Sequence, residues 1–203
     1  VCSSDLEQDL ADVSNILKTR FGYATGPYQN FTLDQKNYKW LAKIDWNINS
    51  VHKLAFTYNG LDAAKDKPAH PSAIGRRGPD YTTLQFQNSG YEIVNKLNSF
   101  GAELKSNFSS NYANKLRLVY TTFRDKRNPF SAPFPVVNIS KYGVRYIVAG
   151  HEPFSVNNRL NQDAFQATND FNIFAKNHNI TLGASYESFK FANSFNLTGY
   201  GPT

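Results

Sequence analysis

Methionine is absent from all 203 residues, and cysteine occurs once, at Cys2. A chain with no methionine has no initiator of its own, so it reads as a processed product or an internal piece. A single cysteine excludes an internal disulfide and a thiolate metal cluster. Charge is sparse, at 19% of residues, and no run approaches the ~18 consecutive apolar residues of a membrane-spanning helix. Helical spans are thereby excluded. A barrel is not, because a polar lumen face keeps the mean hydropathy low, here −0.52. The net charge of +6 raises nucleic acid as a partner. However, the cations are scattered and cluster only at Arg76-Arg77 and within Arg124–Arg127, so no nucleic acid is expected.

The first six residues stand apart. Val1-Cys2-Ser3-Ser4-Asp5-Leu6 is what GTG-TGC-TCT-TCC-GAT-CT encodes, a translated sequencing-adapter end. A lipidated N-terminal cysteine is the competing reading, but Val1 precedes Cys2. Residues 1–6 are therefore set aside as an artefact, and residues 7–203 form one domain unit.

What is abundant is aromatic: 16 Phe, 12 Tyr and two Trp. They fall into alternating runs. In Asn37–Tyr58, the residues Tyr38, Trp40, Ala42, Ile44, Trp46 and Ile48 share one parity. Lys39, Lys43, Asp45, Asn47 and Asn49 share the other, with Leu41 the exception. A period of two puts alternate side chains on opposite faces of a strand. After a turn at Asn49–His52, Leu54, Phe56 and Tyr58 alternate in the same way. Further strands are predicted at Lys96–Phe108, Lys115–Arg124, Asn161–Phe174 and His178–Phe191. A short helix is predicted from Asp9, which would cap it, through Leu10, Val13, Ile16 and Leu17 to Gly22. Leu61–Asn95 and Asp125–Arg159 read as long irregular segments, with a short edge strand at Thr82–Phe86 and a small hairpin arm at Val144–Ala149.

The connections alternate between three to six residues and about thirty-five. Compact soluble domains seldom need loops above ~12–15 residues, whereas outer-membrane barrels pair short periplasmic turns with long extracellular loops. Tyr38 and Trp46 are eight residues apart on one face. At ~3.3 Å per residue that is about 26 Å, or about 20 Å along the membrane normal at a tilt of roughly 40°. The expected fold is all-β: an antiparallel up-and-down transmembrane β-barrel segment of about six long strands. It would be an open fragment of a larger barrel, with long extracellular loops and a short N-terminal loop helix. Lipid-facing or girdle positions are Tyr38, Trp40, Ile44, Trp46, Phe56, Tyr58, Leu118, Tyr120, Phe171, Leu182 and Tyr186. The opposite parity, with Lys39, Lys43, Asp45, Glu103 and Lys105, would face the lumen.

On these residues the chain resembles the barrel of TonB-dependent outer-membrane receptors of the Bacteroidetes type, which carry a carboxypeptidase-regulatory-like domain. The stretches concerned are DLADVSNILKTRFGY with TGPYQNF, KWLAKIDWNINSVHKLAFTYN, RDKRNPFSAPFP and LNQDAFQATNDFNIFAKNHNITLGASYESFKF. The resemblance implies a 22-stranded barrel with an N-terminal plug, to which this piece would contribute about six strands. It also implies location in the cell outer membrane, and import of an extracellular ligand with energy from the inner-membrane TonB complex. Plug and TonB complex would be partners through other parts of the parent chain, and outer-membrane lipid a third. No plug, TonB box or terminal strand is recognisable in the sequence.

No catalytic or metal site is expected, no cofactor, and no enzyme activity. His52, His70, His151 and His178 lack ligand spacing and read as surface residues. Asp45 and Glu103 could be imagined as paired carboxylates, but nothing brings them together with a nucleophile. The ligand is unknown. Arg76, Arg77, Asp80 and Tyr81, in a long outer loop, are the candidates to touch it. Two alternatives stand beside the receptor: a passive porin or secretion/assembly barrel, and a soluble β-sandwich that binds glycans through exposed aromatics.

Overall fold

The computed structural model describes residues 3–69, 82–152 and 154–195. It contains one α-helix, α1 (Ser3–Phe21), a 3-10 turn at Gln87–Ser89, and nine strands among the described residues. In chain order these are β1 (Gln35–Asn47), β2 (His52–Lys67), β3 (Leu84–Gln85), β4 (Tyr91–Asn107), β5 (Tyr112–Pro129), β6 (Val137–Lys141), β7 (Val144–Ala149), β8 (Arg159–Ala175) and β9 (His178–Ser194). Six of them form one sheet in the order β1-β2-β4-β5-β8-β9, antiparallel throughout. The sheet is open: β1 and β9 each pair on one side only among the described residues.

The strands are 13 to 18 residues long, against ~5–6 in ordinary globular sheets. They are longer than their alternation of apolar residues predicts. Leu61–Lys67 and Tyr91–Asn95, expected in an irregular segment, continue β2 and open β4, and β5 likewise runs on through Asp125 to Pro129. These extensions carry polar cross-strand contacts. Lys96 lies 3.0 Å from Asp62, and Asn128 donates to Glu92 at 3.0 Å. Opposite charges facing each other across strands stabilise pairing as apolar pairs do.

Short turns close one end of the sheet. In the first, Asn49 Oδ1 accepts from the amides of Val51 and His52 at 2.9 and 2.8 Å. In the second, Ser109 Oγ accepts from the Asn111 amide at 3.1 Å. The third has Lys176 in the left-handed region, φ +51. The turns are staggered. β4 reaches past the start of β2, its Asn107 amide donating to Val51 O at 2.9 Å. β8 continues to Ala175, beyond Ile173, the partner of Tyr112 at the start of β5. Each turn therefore sits about two residues, or ~6.6 Å, further along than the one before it.

At the other end, residues 82–90 and 130–152 carry the remaining strands. These form a second sheet, β3-β7-β6, with β3 parallel to β7 and β6 antiparallel to it. α1 packs on it, giving the dry core Leu10, Leu17, Tyr23, Phe86, Ile147 and Ala149, with Val13, Leu84 and Phe134 against its margin. The Tyr23 and Phe134 rings stack at 4.1 Å. α1 is longer than expected and includes Ser3–Leu6, so Asp9 lies inside the helix and does not cap it. Gly22, at φ +67, ends it. That left-handed residue lets the Gly22 and Tyr23 amides bond back to Lys18 and Leu17 O, both at 3.1 Å.

Candidate functional site: an uncovered apolar face

Residues directly opposite in an antiparallel sheet share a face, so the register decides which alternations coincide. One row runs Ile44-Phe56-Ala102-Leu118-Ala167-Tyr186. The rows on either side are Ala42-Tyr58-Phe100-Tyr120-Phe165-Ser188 and Trp46-Leu54-Leu104-Leu116-Asn169-Ala184. Tyr38 and Trp40 continue this face toward the long connections, and Phe171 and Leu182 toward the short turns. All eleven residues predicted to face lipid thus lie on one face of the sheet. A one-residue slip in any pairing would have broken the set.

No element among the described residues covers this face. Ile44 is 67% exposed, Phe56 47% and Leu118 38%, although Phe56 and Leu118 belong to inner strands. The side chains meet mainly each other. Tyr58 and Phe100 lie 5.0 Å apart, Phe165 and Tyr186 6.5 Å, and Tyr38 stacks on Trp40 at 6.4 Å. Such pairs contribute about 0.5–1.5 kcal/mol beyond area burial. The apolar rows end where Tyr58 donates to Asn98 at 2.8 Å. A row of Asp62, Lys96 and Arg124 follows.

The opposite face brings together the predicted lumen residues. Lys43 pairs with Asp45 at 2.8 Å, Lys105 with Glu103 at 3.1 Å, and Lys115 with Asp170 at 3.2 Å. Asp45 and Glu103 are therefore two strands apart, each engaged by a lysine of its own strand, and do not form a carboxylate pair. Sequence reasoning missed a second apolar stripe on this face. Leu61, Leu97, Phe123 and Phe191 share one row nearer the long connections, and Phe189 stacks on Phe191 at 6.0 Å. Its signal was Leu97, on the polar parity of the predicted strand Lys96–Phe108, and Leu61, in the segment that reads as irregular.

The unit built on α1 has its own polar features. Asp9 accepts from the Tyr146 hydroxyl at 2.8 Å and from Lys141 at 3.1 Å. The tyrosine bond, then the lysine bond, hold the Asp9 carboxyl below its usual range. Burial pushes the Glu152 carboxyl up, opposed by hydrogen bonds from Ser155 and nearby backbone. His151, expected at the surface, is buried instead, which lowers its basicity; Ser131 Oγ lies 3.1 Å from its Nδ1. His52 lies 2.8 Å from Ser106 Oγ and is half-buried, while His178 is exposed. The loop candidates Arg76, Arg77, Asp80 and Tyr81, together with His70, lie outside the described residues.

Comparison with protein-family models, with curated proteins and with solved structures finds no match to this chain.

Proposed function

We propose that this chain is part of a transmembrane β-barrel of the TonB-dependent receptor type in an outer membrane. Such a receptor binds a ligand outside and imports it with energy from the inner membrane. The observation that carries the barrel reading is the apolar face itself: six long strands agree in register on one apolar face that no other element among the described residues covers. A β-sandwich would bury that face against a second sheet. The only second sheet among the described residues packs on α1 instead.

The turn stagger supports the same reading. If the three short turns lie on one plane, a slip of ~6.6 Å over two strand spacings of ~4.8 Å tilts the strands by about 35°. That tilt sits at the edge of the ~35–45° range of membrane barrels. Charge is confined to the rim and to the opposite face, as a lipid-facing surface with a wet lumen requires. The receptor assignment within that class rests on the resemblance of the sequence.

The test is depth-resolved. The full chain is refolded from urea into phosphatidylcholine vesicles carrying bromine at shallow or deep acyl positions, and tryptophan emission is followed. Trp40 and Trp46, near the two rims, should be quenched best by shallow bromines. An Ile44→Trp variant lacking both native tryptophans should be quenched best by deep ones. Emission indifferent to bromine, with full access to aqueous iodide, would sink the reading. In cells making the protein, ligand uptake should stop when inner-membrane energy is collapsed; continued uptake would indicate a passive pore.

A further inference from the structure

The apolar face is bordered unequally at its two ends. Three rows lie toward the long connections: Trp40-Gly60-Asn98-Thr122-Asp163-Lys190, Tyr38-Asp62-Lys96-Arg124-Asn161-Ala192 and Lys36-Ala64-Val94-Lys126-Arg159-Ser194. They hold six cations (Lys36, Lys96, Arg124, Lys126, Arg159, Lys190) against two anions. Both anions are taken: Asp62 by Lys96 at 3.0 Å and Asp163 by Arg124 at 2.6 Å. Arg124 also donates to the Phe123 and Gln162 carbonyls at 2.9 Å, which fixes it across two strands. Lys36, Lys126, Arg159 and Lys190 are exposed and form no ion pair with a described residue. One row further out, Asp66 and Glu92 are occupied by the Asp34 amide and Asn128, which bounds the belt.

The rim near the short turns differs. Its rows, Trp46-Leu54-Leu104-Leu116-Asn169-Ala184 and His52-Ser106-Asn114-Phe171-Leu182, contain no Lys, Arg, Asp or Glu. A cationic belt directly outside an aromatic rim, on the apolar side of the sheet, sits at head-group depth for lipid on that side. Arginine and lysine at such a depth pair with phosphate oxygens.

We infer that this belt binds the phosphate-bearing head groups of one leaflet, the one at the long-connection end, and so gives the sheet a chemically distinct side. The inference rests on the proposed lipid-facing role of the apolar face. The charge complementarity is specific to this rim; the other rim offers an anionic leaflet only neutral groups.

The experiment compares binding of the full chain to phosphatidylcholine vesicles and to phosphatidylcholine vesicles with a minor fraction of phosphatidylglycerol, at low and high salt. Native chain should prefer the anionic vesicles, and salt should erase the preference. A Lys126→Gln, Arg159→Gln, Lys190→Gln variant should lose about fivefold in anionic-lipid affinity per cation removed. Its tryptophan quenching by brominated lipid should stay unchanged. The matched variant Lys39→Gln, Lys43→Gln, Lys53→Gln, which removes the same charge from the opposite face, should keep the preference. An equal loss in both variants, or quenching without any anionic preference, overturns the belt and leaves the barrel reading standing. Absence of quenching in every vesicle overturns both.

Discussion

The six-stranded sheet and the unit built on α1 place their apolar side chains in opposite situations. In the α1 unit, Phe86 and Ile147 are each 1% exposed and a helix, a short sheet and two aromatic rings close around them. In the main sheet, Phe56 is 47% exposed on an inner strand, in a row where Ile44, Leu118 and Tyr186 are exposed as well. One region satisfies its hydrophobic residues within the chain; the other arranges them in register and leaves them facing outward. The second arrangement is unfavourable in water at about 25 cal/mol per Å² of apolar surface, and it is the arrangement that suits a bilayer.

The largest effect expected from this contrast is at Phe86. Phe86→Ala should destabilise the α1 unit by about 3–5 kcal/mol, as for other buried phenylalanines. Phe56→Ala should change stability in water little, because the ring is half in solvent already. Urea unfolding of both variants measures the difference, and similar losses would erase the distinction between the regions. Next comes Ile44→Lys. A lysine in the middle apolar row should cost about 2–4 kcal/mol for folding into lipid and almost nothing in water, where Ile44 is exposed. The comparison of refolding equilibria with and without vesicles reads this directly.

The smallest effect concerns the contact of α1 with β6 and β7. The Asp9 carboxyl has its folded-state pKa depressed by Tyr146 and Lys141. Its contribution is therefore present above the unfolded value of about 3.9 and is lost as pH falls through the lower folded value. Asp9→Asn should lower the melting temperature of the α1 unit slightly at neutral pH, and the gap from native chain should vanish in acid. A gap independent of pH would remove the carboxylate from the account.

Much of the main sheet was legible because its pairing rule is simple. Tyr38, Trp40, Ile44 and Trp46 share one parity with only Leu41 against the pattern, and such alternation recurs at Leu116–Tyr120 and Ile180–Tyr186. The strand ends were not legible. Lys65, Asp66, Glu92 and Asp125–Arg127 look like solvated loop residues until strand pairing brings polar partners within reach, as Asn128 reaches Glu92 and the Asp34 amide reaches Asp66. The α1 core was invisible for another reason. Phe86, Ile147 and Ala149 sit in segments too short to show periodicity, and only tertiary packing brings them onto Leu10 and Leu17. His151 and Glu152 are buried beside residues of their own long connection, Ser131 and Ser155, which composition could not announce.

The unpaired outer edges of β1 and β9 carry a further consequence. Along Gln35–Asn47 and His178–Ser194, one side of the backbone has no neighbouring strand among the described residues. Water hydrates those amides and carbonyls without penalty, but each unpaired group in hydrocarbon costs several kcal/mol. For the proposed membrane role, the width of the sheet and not its height is then the limit. Insertion should accordingly be steeper than first order in protein concentration, because one edge must meet another strand before either can leave water.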